Sequence, residues 1–187
     1  MGKLIYNFNV SLDGFVETVD HRLDWTVPDD DLLSWFSDLT RPLSAHLYGR
    51  RLYELMAAHW PTAASDPAAT EPVLEYARIW NATPKIVFST TLDSVGPDSR
   101  LVAGDVGDRL AELRSEFPGD FDLGGATLAS AFIARGLVDE YRIVVHPVIL
   151  GDGTRLFPPL EERVGLRLLE TQTFGSGAVY LGYEIVR

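Results

Sequence analysis

Three short stretches of this 187-residue chain combine glycine, hydroxyl and cationic residues in ways that suit an anionic ligand. In Leu47-Tyr48-Gly49-Arg50-Arg51 the glycine lets backbone approach a ligand, and arginines at a helix start match phosphate oxygens. A solvated basic cap is the alternative. Phe88-Ser89-Thr90-Thr91 gathers hydroxyls after an apolar run, for a phosphate or simply for a turn. Asp122-Leu123-Gly124-Gly125-Ala126-Thr127 sets paired glycines between a strand and a helix, where helix amides would face a pyrophosphate. This is not the G-x-G-x-x-G dinucleotide fingerprint, and a tight turn can use two glycines without any ligand.

Two carboxylates are candidates for proton transfer. Asp13, in Ser11-Leu12-Asp13-Gly14, sits in a turn signature and is either a proton donor or an aspartate bonded to its own backbone. Asp30 belongs to Pro28-Asp29-Asp30-Asp31 at a helix start, where the dipole also favours plain solvated acids. Trp25, on the preceding loop, and Asp152, between two glycines, are candidates for a substrate mouth; core or rim packing is the other reading of the tryptophan. His21, His46, His59 and His146 form no i, i+4 pair, so no metal site is expected. Gly175-Ser176-Gly177 is a hairpin turn and lacks the G-x-S-x-G pattern of a nucleophile elbow.

These stretches need a scaffold of strand ends. Lys3 to Val10 alternates Leu4, Tyr6, Phe8 and Val10 against Ile5, Asn7 and Asn9, a first strand. Leu32, Trp35, Phe36 and Leu39 give one apolar helix face after the aspartate trio. Ser44 to Tyr48 is a strand followed by a brief helix with Leu52, Leu55 and Met56. Residues 61 to 70 read as a surface loop, Glu71 to Trp80 as a helix capped near Asn81, and Lys85 to Phe88 as a buried strand. Leu101-Val102-Ala103 is a short strand, Asp105 caps the next helix, and Phe121-Asp122-Leu123 is another strand. A helix from about Thr127 to Arg135 stops at Gly136, and Tyr141 to Leu150 reads as a core strand. Arg167 to Phe174 and Ala178 to Val186 form a hairpin. Strands alternating with helices predict one α/β domain over residues 1–187, its mostly parallel sheet covered on both faces and edged by an antiparallel C-terminal hairpin.

Composition narrows the class. Sixteen basic against 27 acidic residues give a net charge of −11, which disfavours nucleic acid and anionic membrane surfaces. Without cysteine there are no disulfides, thiolate metal sites or cysteine nucleophiles. The N-terminus has no leader pattern and no apolar run approaches the roughly 20 residues of a membrane span, so a soluble cytoplasmic protein is expected.

Taken in order, Ser11-Leu12-Asp13-Gly14, Gly49-Arg50, Gly124-Gly125-Ala126-Thr127-Leu128, Gly136-Leu137-Val138-Asp139-Glu140 and His146-Pro147-Val148-Ile149-Leu150-Gly151-Asp152-Gly153 resemble the C-terminal reductase domain of riboflavin-biosynthesis deaminase-reductases. That domain belongs to the dihydrofolate-reductase-like superfamily. The resemblance implies a three-layer dihydrofolate-reductase-like fold and an NADPH-dependent reductase of a small pterin-like or pyrimidine-like compound, forming a homodimer. It further implies that Gly49, Arg50 and Arg51 approach the cofactor phosphates, that Ser89 and Thr90 lie near the adenosine 2′-phosphate, and that Gly124, Gly125, Ala126 and Thr127 hold the pyrophosphate. A cis peptide between Gly124 and Gly125 is expected on the same ground. Two departures stand out. Leu52 replaces the threonine that dihydrofolate reductases carry there. The spacing from Pro28 selects Asp30 as the pterin-binding acid, whereas spacing from Trp35-Phe36 selects Leu32. No zinc deaminase half is present, so a stand-alone relative is expected. A dimeric ligand-binding protein without catalysis, or a flavin- or deazaflavin-dependent reductase, are the other readings.

Overall fold

The computed structural model describes residues 2–26 and 28–186. Ten strands and five α-helices follow one another in the order β1 (Leu4–Ser11), β2 (Phe15–Glu17), α1 (Asp30–Thr40), β3 (Ala45–Gly49), α2 (Arg50–His59), α3 (Glu71–Ala82), β4 (Lys85–Phe88), β5 (Ser99–Val102), α4 (Val106–Glu116), β6 (Phe121–Gly124), α5 (Ala126–Ile133), β7 (Glu140–His146), β8 (Thr154–Arg155), β9 (Leu166–Thr173) and β10 (Val179–Ile185). Eight strands make one sheet in the order β5-β4-β3-β6-β1-β7-β10-β9. Every junction from β5 to β7 is parallel, and β10 and β9 close the sheet as an antiparallel hairpin. No helix among the described residues is long and apolar enough to cross a membrane.

The strand pattern separates two faces with different chemistry. Leu4, Tyr6, Val10, Leu47, Phe121, Leu123 and Ile143 point to one side and pack with Val106, Leu110 and Leu113 of α4 and Ala129, Phe132 and Ile133 of α5. The opposite side meets α1, α2 and α3 through two smaller clusters, one around Leu32, Val144 and Tyr180, the other around Tyr48, Tyr53 and Trp80. That side also carries Asn7, Asn9, His46, Asp122 and His146. The pair His46–Asp122 is buried between them, with His46 Nδ1 2.8 Å from Asp122 Oδ2.

Local chemistry explains where helices begin. Asp29 caps α1 by accepting from Leu32 N, and Asp105 caps α4 by accepting from Gly107 N and Asp108 N. Gly136, at φ +63°, ends the turn after α5. Four expectations change. The strand expected over Tyr141 to Leu150 stops at His146, because Pro147 has no N–H to continue the ladder. Asn81 does not cap α3, which runs through Ala82 to a C-cap at Thr83. The surface loop over 61 to 70 contains a 3-10 turn, Ala63–Ser65. The short strands β2 and β8 pair with each other as a separate two-stranded sheet that period-based reading misses.

Candidate functional site

Parallel strands deliver their carboxyl ends to one edge, and there a cleft of about 610 Å³ opens across β5, β4, β3 and β6. Its lining joins Gly49, Arg50 and Arg51 at the start of α2 with Ser89, Thr90 and Thr91 after β4. Gly104 after β5 and Gly125, Ala126 and Thr127 at the start of α5 complete that wall. Eight of the nine residues expected around a cofactor therefore meet in one cavity.

The two helices that start here are left open. Gly49 caps α2 and Gly125 caps α5, and neither start has a side-chain cap, whereas α1 and α4 have aspartates. Their first backbone N–H groups are thus unclaimed by any capping side chain, and both dipoles carry their positive ends to the same cleft. The two starts abut, since a Cβ built on Gly125 would lie 3.8 Å from Gly49 N. Helix starts of this kind suit an anionic group without needing a lysine.

The paired glycines divide their work differently from expectation. All peptide bonds among the described residues are trans, so the cis bond expected between Gly124 and Gly125 is absent. The chain turns instead at Gly125, with φ +96° and ψ 116°, a conformation closed to residues with a Cβ. Gly124 lies outside the cleft lining; a Cβ there would meet Leu52 Cδ2 at 2.5 Å and the Tyr48 ring at 2.7 Å.

Arg50 donates from Nε to Glu54 Oε1 (3.0 Å) and from Nη1 to Thr91 Oγ1 (3.1 Å), which points its guanidinium along the cleft wall. Ser89 Oγ accepts from Thr91 N and Leu92 N, both at 3.1 Å, and so shapes its own turn. Arg51 pairs with Glu17, which also accepts from Thr154 Oγ1, and His21 Nδ1 lies 3.1 Å from Glu17 Oε1. Burial works to raise the Glu17 carboxyl, but the Arg51 and Thr154 hydrogen bonds outweigh it and hold Glu17 below the usual carboxylate range. Glu17, His21 and Thr154 line the cleft and escaped sequence reasoning. Glu17 and His21 are four residues apart, but Arg51 and Thr154, which complete the group, are remote in sequence and no spacing rule connects them.

The remaining candidates lie elsewhere. The Asp13 carboxylate accepts from Ser11 Oγ (2.7 Å), Leu150 N (3.1 Å) and Gly151 N (2.7 Å), tying the turn after β1 to the loop after β7. The Ser11 hydroxyl, with the two backbone donors, holds its carboxyl below the ordinary value. Asp30 is exposed and accepts from Thr70 Oγ1 at 2.8 Å. Asp152 accepts from Gly153 N in its own loop. None of the three lines the cleft.

Trp25 also lies outside the cleft lining, packed against His146 on the α1 side of the sheet. β1 is the fifth strand of eight, yet Asn7 and Asn9 on its α1 side are only partly covered. Asn9 Oδ1 lies 2.9 Å from His146 Nε2, and the Trp25 ring meets His146 edge-on at 5.6 Å. Burial pushes the His146 imidazole below its ordinary pKa. Trp25 Nε1 and Asn7 Oδ1 are buried without a hydrogen-bond partner among the described residues. Asp29 Oδ2 accepts from Ser176 N at the tip of the β9–β10 hairpin, and a Cβ built on Gly177 would lie 3.4 Å from Pro147 Cγ.

Known proteins share this arrangement of elements. The protein YyaP of Bacillus subtilis (strain 168) is 32% identical over 183 residues, covering 97% of this chain and 94% of YyaP. A protein assigned to riboflavin biosynthesis from Shewanella sp. PV-4 superposes with a TM-score of 0.79 at 22% identity, over the whole of both chains. The Thermotoga maritima diaminohydroxyphosphoribosylaminopyrimidine deaminase/5-amino-6-(5-phosphoribosylamino)uracil reductase gives 0.69 at 14% identity, covering 99% of this chain and 57% of that one. Dihydrofolate reductase of Enterococcus faecalis, complexed with NADP(H), gives 0.67 at 17% identity, with 99% and 97% covered. These three likenesses establish the dihydrofolate-reductase-like fold. The model of the RibD C-terminal domain matches residues 2–115 and 122–180, nearly the full length, and the chain belongs to that family.

Proposed function

We propose that this protein is a cytoplasmic, NADPH-dependent reductase of a small pterin-like or pyrimidine-like heteroaromatic compound. The observation that carries the reading is the pair of abutting, glycine-capped helix starts in one cleft, at α2 and α5. Gly49, Gly125 and Ala126 would hold the diphosphate through backbone N–H groups. Arg50, with Ser89 and Thr90 beside it, would meet the adenosine end and its 2′-phosphate. NADPH, when bound, supplies the hydride. The residues of the chain bind, orient and exclude water: Phe8, Val16 and Leu23 give the cleft an apolar wall.

Thermal unfolding with NADPH, and with NADH alongside, tests the reading. At 100 times its dissociation constant a ligand adds about 2.7 kcal/mol, a rise of roughly 5–11 °C in a domain of this size. A rise with NADPH followed by its oxidation in a substrate screen supports a reductase. No rise with either nucleotide at millimolar concentration removes it.

A ligand-binding protein without catalysis is the second reading. It is favoured by Glu17, the one carboxylate in the described cleft lining, being ion-paired to Arg51. Cofactor binding without oxidation across the screen would select it. We also propose a homodimer through β9, an edge strand whose eight residues are all exposed, Leu166, Leu168 and Leu169 among them. A purely monomeric elution at micromolar concentration would remove that.

A further inference from the structure

We propose that His21 takes up a proton when NADPH binds, because Arg51 moves from Glu17 to the cofactor phosphates; this rests on the cofactor reading above. Two neighbours make incompatible demands on His21 Nδ1. Arg51 Nη2, a donor only, lies 3.0 Å away and needs a lone pair there. Glu17 Oε1, an acceptor, lies 3.1 Å away and needs a proton there. One nitrogen cannot serve both at once, so the group has two states. With Arg51 in place, Nδ1 accepts and the proton of the neutral ring sits on Nε2. With Arg51 withdrawn, Nδ1–H donates to Glu17 and the ring can become an imidazolium.

Arg51 is placed to make the exchange. It stands in the first turn of α2, two residues past Gly49, and its side chain is more than half exposed. An ion pair held by so exposed a guanidinium is weak. Arg51 lines the same cleft as the two open helix starts, and a diphosphate there carries more negative charge than one carboxylate. When Arg51 turns to it, Glu17 loses its cation although its side chain is only 12% exposed. His21 can restore the charge, because its ring is already within hydrogen-bond distance and imidazole exchanges its proton near neutral pH. Charged groups face His21 from β2, from α2 and from its own turn. Glu17 and Asp20 favour the imidazolium, and Arg51 opposes it. The turn fixes the ring in this position: Thr18 N donates to Arg22 O and His21 N to Thr18 O. It does so with His21 at φ +62°, a conformation uncommon for a residue with a Cβ.

The test reads the nitrogen chemical shifts of the His21 ring by NMR, which distinguish an imidazolium from either neutral tautomer. The resonances are assigned by their loss in His21→Gln. At about pH 7 an ordinary histidine is mostly neutral, and without cofactor the expected ring is neutral with its proton on Nε2. Saturation with NADPH should raise the imidazolium fraction about twofold or more, the effect of an opposite charge left unopposed at hydrogen-bond distance. Arg51→Ala should give the same rise with no cofactor present, and NADPH should then add little. Glu17→Gln should abolish the rise. A ring that stays neutral when NADPH binds, a change of tautomer alone, or an Arg51→Ala ring identical to the wild type would overturn the proposal. Thermal unfolding of the same samples reports binding. An absent shift with NADPH marks failure of the cofactor reading and ends the proposal with it, whereas a thermal shift with an unchanged ring ends the proposal alone.

Discussion

Gly124 is where the fold leaves no room for a methyl group, and Gly124→Ala puts that to the test. The added Cβ would lie 2.5 Å from Leu52 Cδ2 and 2.7 and 2.8 Å from Tyr48 Cε1 and Cδ1. These neighbours differ in freedom. Tyr48 is 2% exposed, stacks on His46 at 5.1 Å and accepts from Trp80 Nε1, so its ring has nowhere to swing. Leu52 is half-buried and faces the cleft, so it can change rotamer. Part of the overlap is thus relieved and part passes to the end of β6. Overpacking of this kind costs about 1–3 kcal/mol, which is a fall of roughly 2–12 °C in midpoint for a chain this long. Removing the Leu52 side chain removes one of the overlaps, so Gly124→Ala with Leu52→Ala should be less destabilised than the sum of the single changes, by about 0.5 kcal/mol or more. Urea unfolding of the four proteins measures this directly. A neutral Gly124→Ala, or strict additivity in the cycle, would refute the packing argument.

Two further predictions concern charge. Arg50→Ala should weaken NADPH binding by about 1.5–3 kcal/mol, or roughly 10- to 150-fold, towards the lower figure because the side chain is half exposed. Calorimetric titration measures it, and an unchanged affinity rejects the phosphate role. His146 has its folded-state pKa lowered by burial, so the unfolded chain takes up its proton first as pH falls. Its contribution is complete above the unfolded value of about 6.5 and is lost as pH drops below it. Between pH 7 and 5 the wild type should therefore lose more stability than His146→Gln; parallel pH profiles would contradict the burial argument.

What could be read from residue order alone depended on whether the signal was local. Asp105 was legible as a cap because a capping side chain bonds two or three residues ahead, whereas Asp29 stood among three acids at a helix start with nothing to single it out. Gly136 was legible because a left-handed residue after a helix favours glycine. The family motifs brought the cleft glycines and arginines together ahead of any coordinates. Asn7 and Asn9 illustrate the limit: alternation marks β1 as a strand, and only the sheet order places it as the fifth of eight. Strands of two and three residues such as β8 and β2 are too short to carry a period. The Glu17–Arg51–His21–Thr154 network spans 137 residues, and beyond the Glu17–His21 spacing of four no rule connects it.

Segments 11–17 and 148–155 are joined three times over. Asp13 holds the backbone of Leu150 and Gly151, β2 pairs with β8, and Gly153 sits so close to Glu17 that a Cβ would lie 2.0 Å from its carbonyl oxygen. Two stretches far apart in the chain therefore have one set of motions between them. Neither can open without breaking the shared bonds, so any breathing that admits a ligand is a pivot of the joined pair, hinged outside it. The same cooperative opening should be visible in amide hydrogen exchange, with both segments sharing one free energy of protection although more than 130 residues separate them.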